Sequence, residues 1–269
     1  MVQITVNERP VLIGPGETLD DVRRRFKPSA DIVVLNGFPV EEDRPLSEGD
    51  RVTLIERGVQ PSQDELEALL IARHTPGIHE RLKRACVGIA GCGGLGSHVA
   101  LSLARVGIGR LILVDPDVVE PSNLNRQHYF VDQIGAYKVD ALKEILLRAN
   151  PFVEVETHRL RLTAENIPCV FADADVIVEA FDKAEAKVMI IEAVLSKMPG
   201  RPLVVGSGMA GYGRSNAIHT RREGDLIICG DEVTEARPGR GLMAPRVAIA
   251  ANHQANVVLE ILVGREEET

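Results

Sequence analysis

The chain has 269 residues, room for one large or two modest domains, and 45% of them are hydrophobic, enough to bury a sizeable core. Its net charge of −8, its 3% aromatic content and the absence of tryptophan exclude a broad phosphate-binding surface and an aromatic platform for single-stranded nucleic acid, so any anion site must be local. The opening residues do not read as a signal peptide, no apolar run is long enough to span a membrane, and Cys86, Cys92, Cys169 and Cys229 form no C-x-x-C pair; the expectation is a reduced cytoplasmic protein with no disulfide framework and no structural zinc.

Residues 1–58 read as a small α+β domain. Val2 to Val6 alternates like a half-buried strand, Asn7 to Pro10 turns, and Val11 to Ile13 begins a second strand. Thr18 is placed to cap a helix through Phe26, with Asp20 and Asp21 in the first turn and Arg23 to Arg25 in the last. Ile32 to Leu35 and Arg51 to Ile55 are further strands, and Asn36-Gly37 is a tight turn. Residues 59–84 are a connector: Gln60-Pro61-Ser62 and Thr75-Pro76-Gly77 are breaks, and Leu66, Leu69 and Leu70 give the stretch between them helical spacing.

From residue 85 to 269 strands alternate with helices, which predicts a mostly parallel sheet covered on both faces. Strands are expected at Ala85 to Ala90, Arg110 to Val114, Val153 to Val155, Asp175 to Glu179 and Pro202 to Val205, and helices at Ser97 to Val106, Tyr137 to Ala149, Ala184 to Lys197 and Ala244 to Leu262. Arg214 to Thr220 and Asp225 to Cys229 read as a hairpin turning at Arg221 to Gly224, giving an antiparallel edge.

The first strand of this region leads into Gly91-Cys92-Gly93-Gly94-Leu95-Gly96. Strand, glycine turn and helix together form a nucleotide site: glycines let backbone amides approach phosphate, and the helix N-terminus adds partial positive charge. Asp115, nineteen residues past Gly96, is at the distance of about 20 expected of a ribose-binding acid. Asp117, Asn123, Arg126 and Gln127 follow in a dense polar loop, Lys138 opens the next helix, and Asp182 follows the Asp175 to Glu179 strand. Cations and an acid at successive strand ends around a nucleotide equip a site for attack at phosphorus, the cations countering charge on phosphate oxygens and the acid holding magnesium.

Two resemblances sharpen this reading. Val6-Asn7-Glu8, Pro15-Gly16-Glu17-Thr18-Leu19, Val34-Leu35-Asn36-Gly37 and Leu46-x-x-Gly49-Asp50-x-Val52 resemble the ThiS/MoaD sulfur carriers, of the ubiquitin-like β-grasp fold. Those carriers end in a free Gly-Gly carboxylate, whereas Arg57-Gly58-Val59 here runs on into the chain. From about Ala85 onward, Gly91-x-Gly93-Gly94-Leu95-Gly96, Asp115-x-Asp117, Ser122-Asn123-Leu124-x-Arg126-Gln127, Gly135-x-x-Lys138, Asp182 and Gly241-Leu242-Met243-Ala244-Pro245 resemble the HesA/MoeB/ThiF adenylyltransferases, bacterial relatives of ubiquitin-activating enzymes. A ThiS-like head on such a domain is most similar to the ThiF branch of thiamine biosynthesis.

The resemblance implies a Rossmann-like sheet and an ATP- and magnesium-dependent enzyme that adenylates the C-terminal glycine of a carrier for sulfur transfer. By motif position, Asp115 would hold the ribose, the backbone at Gly93 and Gly94 the phosphate side, Asn123, Arg126, Gln127 and Lys138 the triphosphate, and Asp182 the magnesium. Arg73 resembles an upstream arginine that reaches into a partner subunit's site. The implied partners are a separate Gly-Gly-ended ThiS-like carrier, a sulfur donor such as a cysteine desulfurase and, in a homodimer, a second copy of the chain. The head then reads as a docking or stabilising module rather than a carrier freed by proteolysis. The sequence departs from the family in lacking its paired C-x-x-C zinc motifs and any cysteine between Thr234 and Arg240, which implies activation without a covalent enzyme–carrier step. Cys92 reads as packing, and Cys229 as a semi-buried thiol rather than a redox or persulfide site. Two other readings stand beside this one: an NAD-dependent oxidoreductase, which the glycine turn and Asp115 fit equally well, and a non-catalytic scaffold for sulfur-pathway proteins.

Overall fold

The computed structural model describes residues 1–74 and 77–264. Thr75 and Pro76, part of the second expected break, lie outside them. The chain divides into two compact units, Met1–His79 and Glu80–Thr269.

The first unit contains β1 (Val2–Val6), β2 (Arg9–Ile13), α1 (Leu19–Phe26), β3 (Ile32–Leu35), β4 (Phe38–Pro39), β5 (Arg51–Ile55) and α2 (Gln63–His74). The five strands form one sheet in the order β2-β1-β5-β3-β4, with β1 and β5 parallel and the other pairs antiparallel. The two-residue β4 is an addition to the sequence reading, formed as the chain folds back at Asn36 and Gly37, whose φ values are 51° and 89°. Thr18 caps α1 as expected: its hydroxyl accepts the Asp21 amide at 3.3 Å, and the Asp21 carboxylate accepts the Thr18 amide at 3.0 Å. Alternation along the strands puts Ile4, Val6, Ile13, Leu35, Val52 and Leu54 on one face, where Leu19 and Val22 of α1 close the core. Past Gly58 the chain returns to this core's rim. Glu65 of α2 accepts from the Asn7 side-chain Nδ2 at 2.8 Å and pairs with Lys27 at 3.3 Å.

The second unit takes in most of α3 (Ile78–Arg84) and continues through β6 (Cys86–Ala90), α4 (Gly94–Arg105), β7 (Arg110–Val114), α5 (Lys138–Ala149), β8 (Glu154–His158), α6 (Ile167–Val170), β9 (Val176–Glu179), α7 (Ala184–Lys197), β10 (Leu203–Gly206), β11 (His219–Glu223), β12 (Leu226–Gly230) and α8 (Ala244–Val263). Its seven-stranded sheet runs β11-β12-β10-β9-β6-β7-β8, parallel throughout except for the β11–β12 hairpin at one edge. That hairpin turns later than expected. Arg221 and Arg222 pair with Ile228 and Ile227 inside the ladder, while Arg214 to Ala217 belong to a turn before it. The turn falls at Gly224, whose φ of 62° suits glycine alone among the residues there.

On one face of the sheet α6 and α7 bury Phe171, Ile190 and Val194 against Ile112, Ile177, Leu203 and Val205. On the other, α4 packs between α5 and α8. From β6 the chain moves outward to β7 and β8, then crosses back to β9 on the other side of β6. The carboxyl ends of β6, β7 and β9 thus flank the point where strand order reverses, where open α/β sheets hold their ligands. Among the described residues no helix is long and apolar enough to cross a membrane.

Phe171 is fully buried, and a β-carbon on Gly88 of β6 would fall 2.4 Å from its ring, so the strand's missing side chain is the ring's seat. Phe171→Ala is expected to leave a cavity and lower unfolding free energy by about 3–5 kcal/mol, read as a reduced urea midpoint with an unchanged slope.

Candidate active site

The glycine turn is built by exclusion of side chains. A β-carbon at Gly96 would lie 1.9 Å from the Gly91 carbonyl oxygen, and one at Gly91, where φ is +98°, would lie 2.9 Å from that of Ala180. The first turn of α4 can therefore sit directly on the end of β6, and the helix begins at Gly94, three residues before the expected Ser97. Gly93 is its N-cap and no side chain caps it, so the first-turn amides point to a ready anion site.

Asp115, at the end of β7, is buried and joins this turn to the loop that follows. Its carboxylate accepts the Cys92 amide at 2.7 Å and the Asp117 amide at 2.8 Å. Burial pushes its carboxyl upward, while the Lys138 charge and the two amides pull the other way. Both oxygens keep a second lone pair for ribose hydroxyls. Lys138 is buried, and its ammonium meets the exposed Asp117 carboxylate at 3.0 Å.

The polar loop folds as a 3-10 turn, Pro121–Asn123, in which the Asn123 side chain accepts the Glu120 amide at 3.0 Å. Asn123 Oδ1 thereby shapes the loop, and the Asn123 backbone carbonyl receives the amides of Arg126 and Gln127 at 3.1 and 3.0 Å. These place Gln127 Nε2 3.7 Å from where a Gly93 β-carbon would stand and Arg126 Cγ 3.7 Å from that of Gly94. Gln127 Oε1 is buried with no hydrogen-bond partner, on the same side-chain amide whose Nε2 stands beside Gly93. Gly91, Gly93, Gly94, Gly96, Asp115, Asp117, Asn123, Arg126, Gln127 and Lys138 are thus gathered at one end of the sheet. Two cations and an uncapped helix suit a polyphosphate, and Asp115 a sugar.

Asp182 is exposed in the turn between β9 and α7, and Ala180 of that turn walls the glycine loop. A single hard carboxylate fits magnesium, which retains waters and takes other ligands from phosphates. Among the described residues no three His, Cys, Asp or Glu side chains cluster as a metal cage. Arg73 belongs to the first unit, where it faces Glu8 at 3.5 Å; Glu8 also holds Arg51 at 2.9 Å. Cys92 and Cys229 are both fully buried, and burial pushes the Cys229 thiol up to about 11, which makes it packing rather than the semi-buried thiol expected.

Residues 67–269 match the model of the ThiF family. The chain belongs to the ThiF family. Residues 2–58 match a ThiS-like ubiquitin model. The chain is 36% identical over 140 residues to a sulfur carrier protein adenylyltransferase of Thermus thermophilus, covering 52% of this chain and 51% of that one. It is 32% identical over 192 residues to the adenylyltransferase and sulfurtransferase UBA4 of Eremothecium gossypii, covering 68% of this chain and 43% of that one, so it spans less than half the length of this relative. Among solved structures, E. coli TcdA superposes with a TM-score of 0.68 at 20% identity, covering 76% of this chain and 97% of that one, a likeness of fold. E. coli MccB with AMPCPP and MccA gives 0.54 at 27% identity, covering 69% and 58%.

Three features of this ThiF-family site were missed in the sequence. The buried Tyr129 hydroxyl donates to the Cys92 carbonyl at 2.6 Å and lies 3.3 Å from that of Lys138, bracing the glycine turn against α5. Glu179, three residues before Asp182, is fully buried and paired with Lys187. The rings of His98 on α4 and His128 on the polar loop stand 4.0 Å apart.

The histidine contact has a pH signature. Burial, then the neighbouring His128, holds His98 down at about 4 against the ordinary 6.5, and burial also lowers His128. A depressed histidine favours the fold while neutral, so this stability is complete above about 6.5 and is lost as pH falls toward 4. The thermal midpoint is expected to fall across that window, and less steeply in His98→Gln; identical slopes would remove the histidine contact as the cause.

Proposed function

We propose that the chain uses ATP to adenylate the C-terminal glycine of a separate ThiS-like sulfur carrier. The observation that carries this reading is the meeting of the uncapped start of α4, the buried Lys138 and the stem of Arg126 at the turn that Asp115 anchors; the Arg126 guanidinium, which donates to the Ser122 carbonyl and the Asn125 side chain, would turn from these to phosphate. A dinucleotide dehydrogenase needs the turn and the acid but neither cation. The names of the Thermus and UBA4 relatives, and the AMPCPP in the MccB structure, support the same reading.

In this mechanism the carrier's carboxylate attacks the α-phosphorus, the bond to the bridging oxygen breaks, and pyrophosphate leaves with that electron pair. Asp115 accepts from the ribose hydroxyls and so fixes the α-phosphate over Gly93 and Gly94. Their amides, with Arg126 and Lys138, meet charge as it develops on the phosphate oxygens. Lys138 is held by Asp117 in the free protein, so it enters the reaction already oriented. Asn123 keeps the loop in shape, and Gln127 offers its amide beside Gly93. Asp182 would hold magnesium, which when bound supplies positive charge to the phosphates.

The head is not itself the substrate in this proposal. Gly58 is joined to Val59 by a peptide bond, and an amide has no free carboxylate for the attack. Glu65 ties the following helix back to Asn7 and Lys27, consistent with a fixed docking module. We assign the pathway to thiazole formation in thiamine biosynthesis, in the cytoplasm, with sulfur supplied by a donor such as a cysteine desulfurase. Arg73 would serve the site of a second copy in a homodimer.

ATP–pyrophosphate exchange should appear only when a Gly-Gly-ended ThiS-like carrier is added. Arg126→Ala and Lys138→Ala should each lower its maximal rate by about a hundredfold, on the order of 3 kcal/mol, as for other lost charge-stabilising donors. The thermal midpoint should be unchanged for the exposed Arg126→Ala, and lowered but with native circular dichroism for Lys138→Ala, whose ammonium is buried and paired with Asp117. Wild-type rates in both variants at saturating ATP would exclude this site.

A further inference from the structure

The turn that presents Asp182 has only four residues, Ala180 to Lys183, between β9 and α7. It rests on a charged pair that the adenylation chemistry does not use. Glu179, the last residue of β9, is 0% exposed, and Lys187 reaches it from the first turns of α7 at 2.8 and 2.9 Å. Both carboxylate oxygens also bind backbone: Oε1 accepts the Phe181 amide at 2.6 Å and Oε2 the Gly206 amide at 3.3 Å. Lys187 donates in addition to the Gly206 carbonyl at 2.9 Å. From α8, Gln254 donates to the Glu179 carbonyl at 2.9 Å.

Taking two charges out of water is costly, and well-packed apolar side chains commonly hold a fold as firmly as a buried ion pair. Stability alone is therefore a poor reason for charges here. What an apolar pair could not do is accept the amides of Phe181 and Gly206, or tie the first of them to α7. The residue after Phe181 is Asp182. The same turn carries Ala180, whose amide donates to Ala90 of β6 at 2.9 Å and whose carbonyl oxygen would be 2.9 Å from a Gly91 β-carbon.

We infer that Glu179 and Lys187 are positioning residues: together they lock the Ala180–Lys183 turn so that the Asp182 carboxylate is aimed before nucleotide arrives. This rests on the reading of Asp182 as the magnesium-holding acid. The class of role is that of groups behind metal ligands, whose loss weakens metal affinity while the ligand itself remains.

The test measures ATP affinity of the full chain by calorimetry, with and without magnesium, in the wild type, Asp182→Asn, Lys187→Met and the double variant Glu179→Gln/Lys187→Met. The double variant leaves no stranded charge and keeps an acceptor for the Phe181 amide. It is expected to remain folded by circular dichroism and to bind magnesium-free ATP within about twofold of wild type, while the gain in affinity from magnesium falls on the order of tenfold. Lys187→Met should show the same loss. A wild-type magnesium gain in the folded double variant, with a lost gain in Asp182→Asn, would overturn the positioning role alone. An unchanged gain in Asp182→Asn would overturn both it and the magnesium reading. Independently of any variant, the Phe181 amide of the wild type should exchange with deuterium as slowly as those of β9, since it is already bound in the free protein. Exchange at the rate of an open turn would contradict the inference.

Discussion

Gly96 stands where a single β-carbon would collide with the carbonyl of Gly91, and that close approach governs the rest of the catalytic unit. Because the first turn of α4 lies directly on the end of β6, its free amides face the mouth of the sheet. Because the turn is that tight, the Cys92 amide points at Asp115 on the neighbouring strand, which accepts it at 2.7 Å. Asp115 in turn sets Asp117, and Asp117 holds Lys138. One steric constraint thereby brings together a buried acid, an uncapped helix terminus and a buried cation, the groups that the proposed function assigns to sugar and phosphate. Tyr129 closes the circuit from the other side by bonding the Cys92 carbonyl.

Much of this was legible in the sequence because it depends on residue type and short spacing. Glycines in a strand–turn–helix setting, an acid at the end of the next strand and a lysine opening a helix are each visible locally, and the α/β alternation placed them at the same end of one sheet. The residues that escaped notice work through partners distant in the chain. Glu179 ends a strand and takes its meaning from Lys187 and Gly206, which satisfy its carboxylate, and His98 has no meaning without His128, thirty residues on. The late turn of the β11–β12 hairpin was hidden because four charged and glycine residues read as a turn, whereas an edge strand also favours charge, which discourages edge-to-edge pairing. The start of α4 was placed three residues late because glycines are poor helix formers, and here sterics override propensity.

The two matched domains carry opposite chemical signals. The first has the core and cap expected of a small carrier-like fold, yet its last strand continues through an amide into α2, and Glu65 folds that helix back onto it. The second gathers a glycine turn, Asp115, Asp117 and Lys138 at one end of its sheet. Under the proposed function, a carrier-like domain without a free carboxylate joined in one chain to an adenylating domain is coherent, because the acceptor is another molecule. The positioning role inferred for the Glu179–Lys187 pair fits the same logic, in which geometry is set before substrates arrive.

The central claim, that this chain transfers AMP to the terminal carboxylate of a separate carrier, is tested most directly by intact-mass measurement. A Gly-Gly-ended ThiS-like carrier would be incubated with the full chain, ATP and magnesium, without a sulfur donor, beside the same carrier bearing a C-terminal amide. The account predicts that the free-acid carrier gains the mass of AMP on its last residue, while the amidated carrier and the chain itself stay unchanged. AMP found on the chain's own head, or on the amidated carrier, would contradict it.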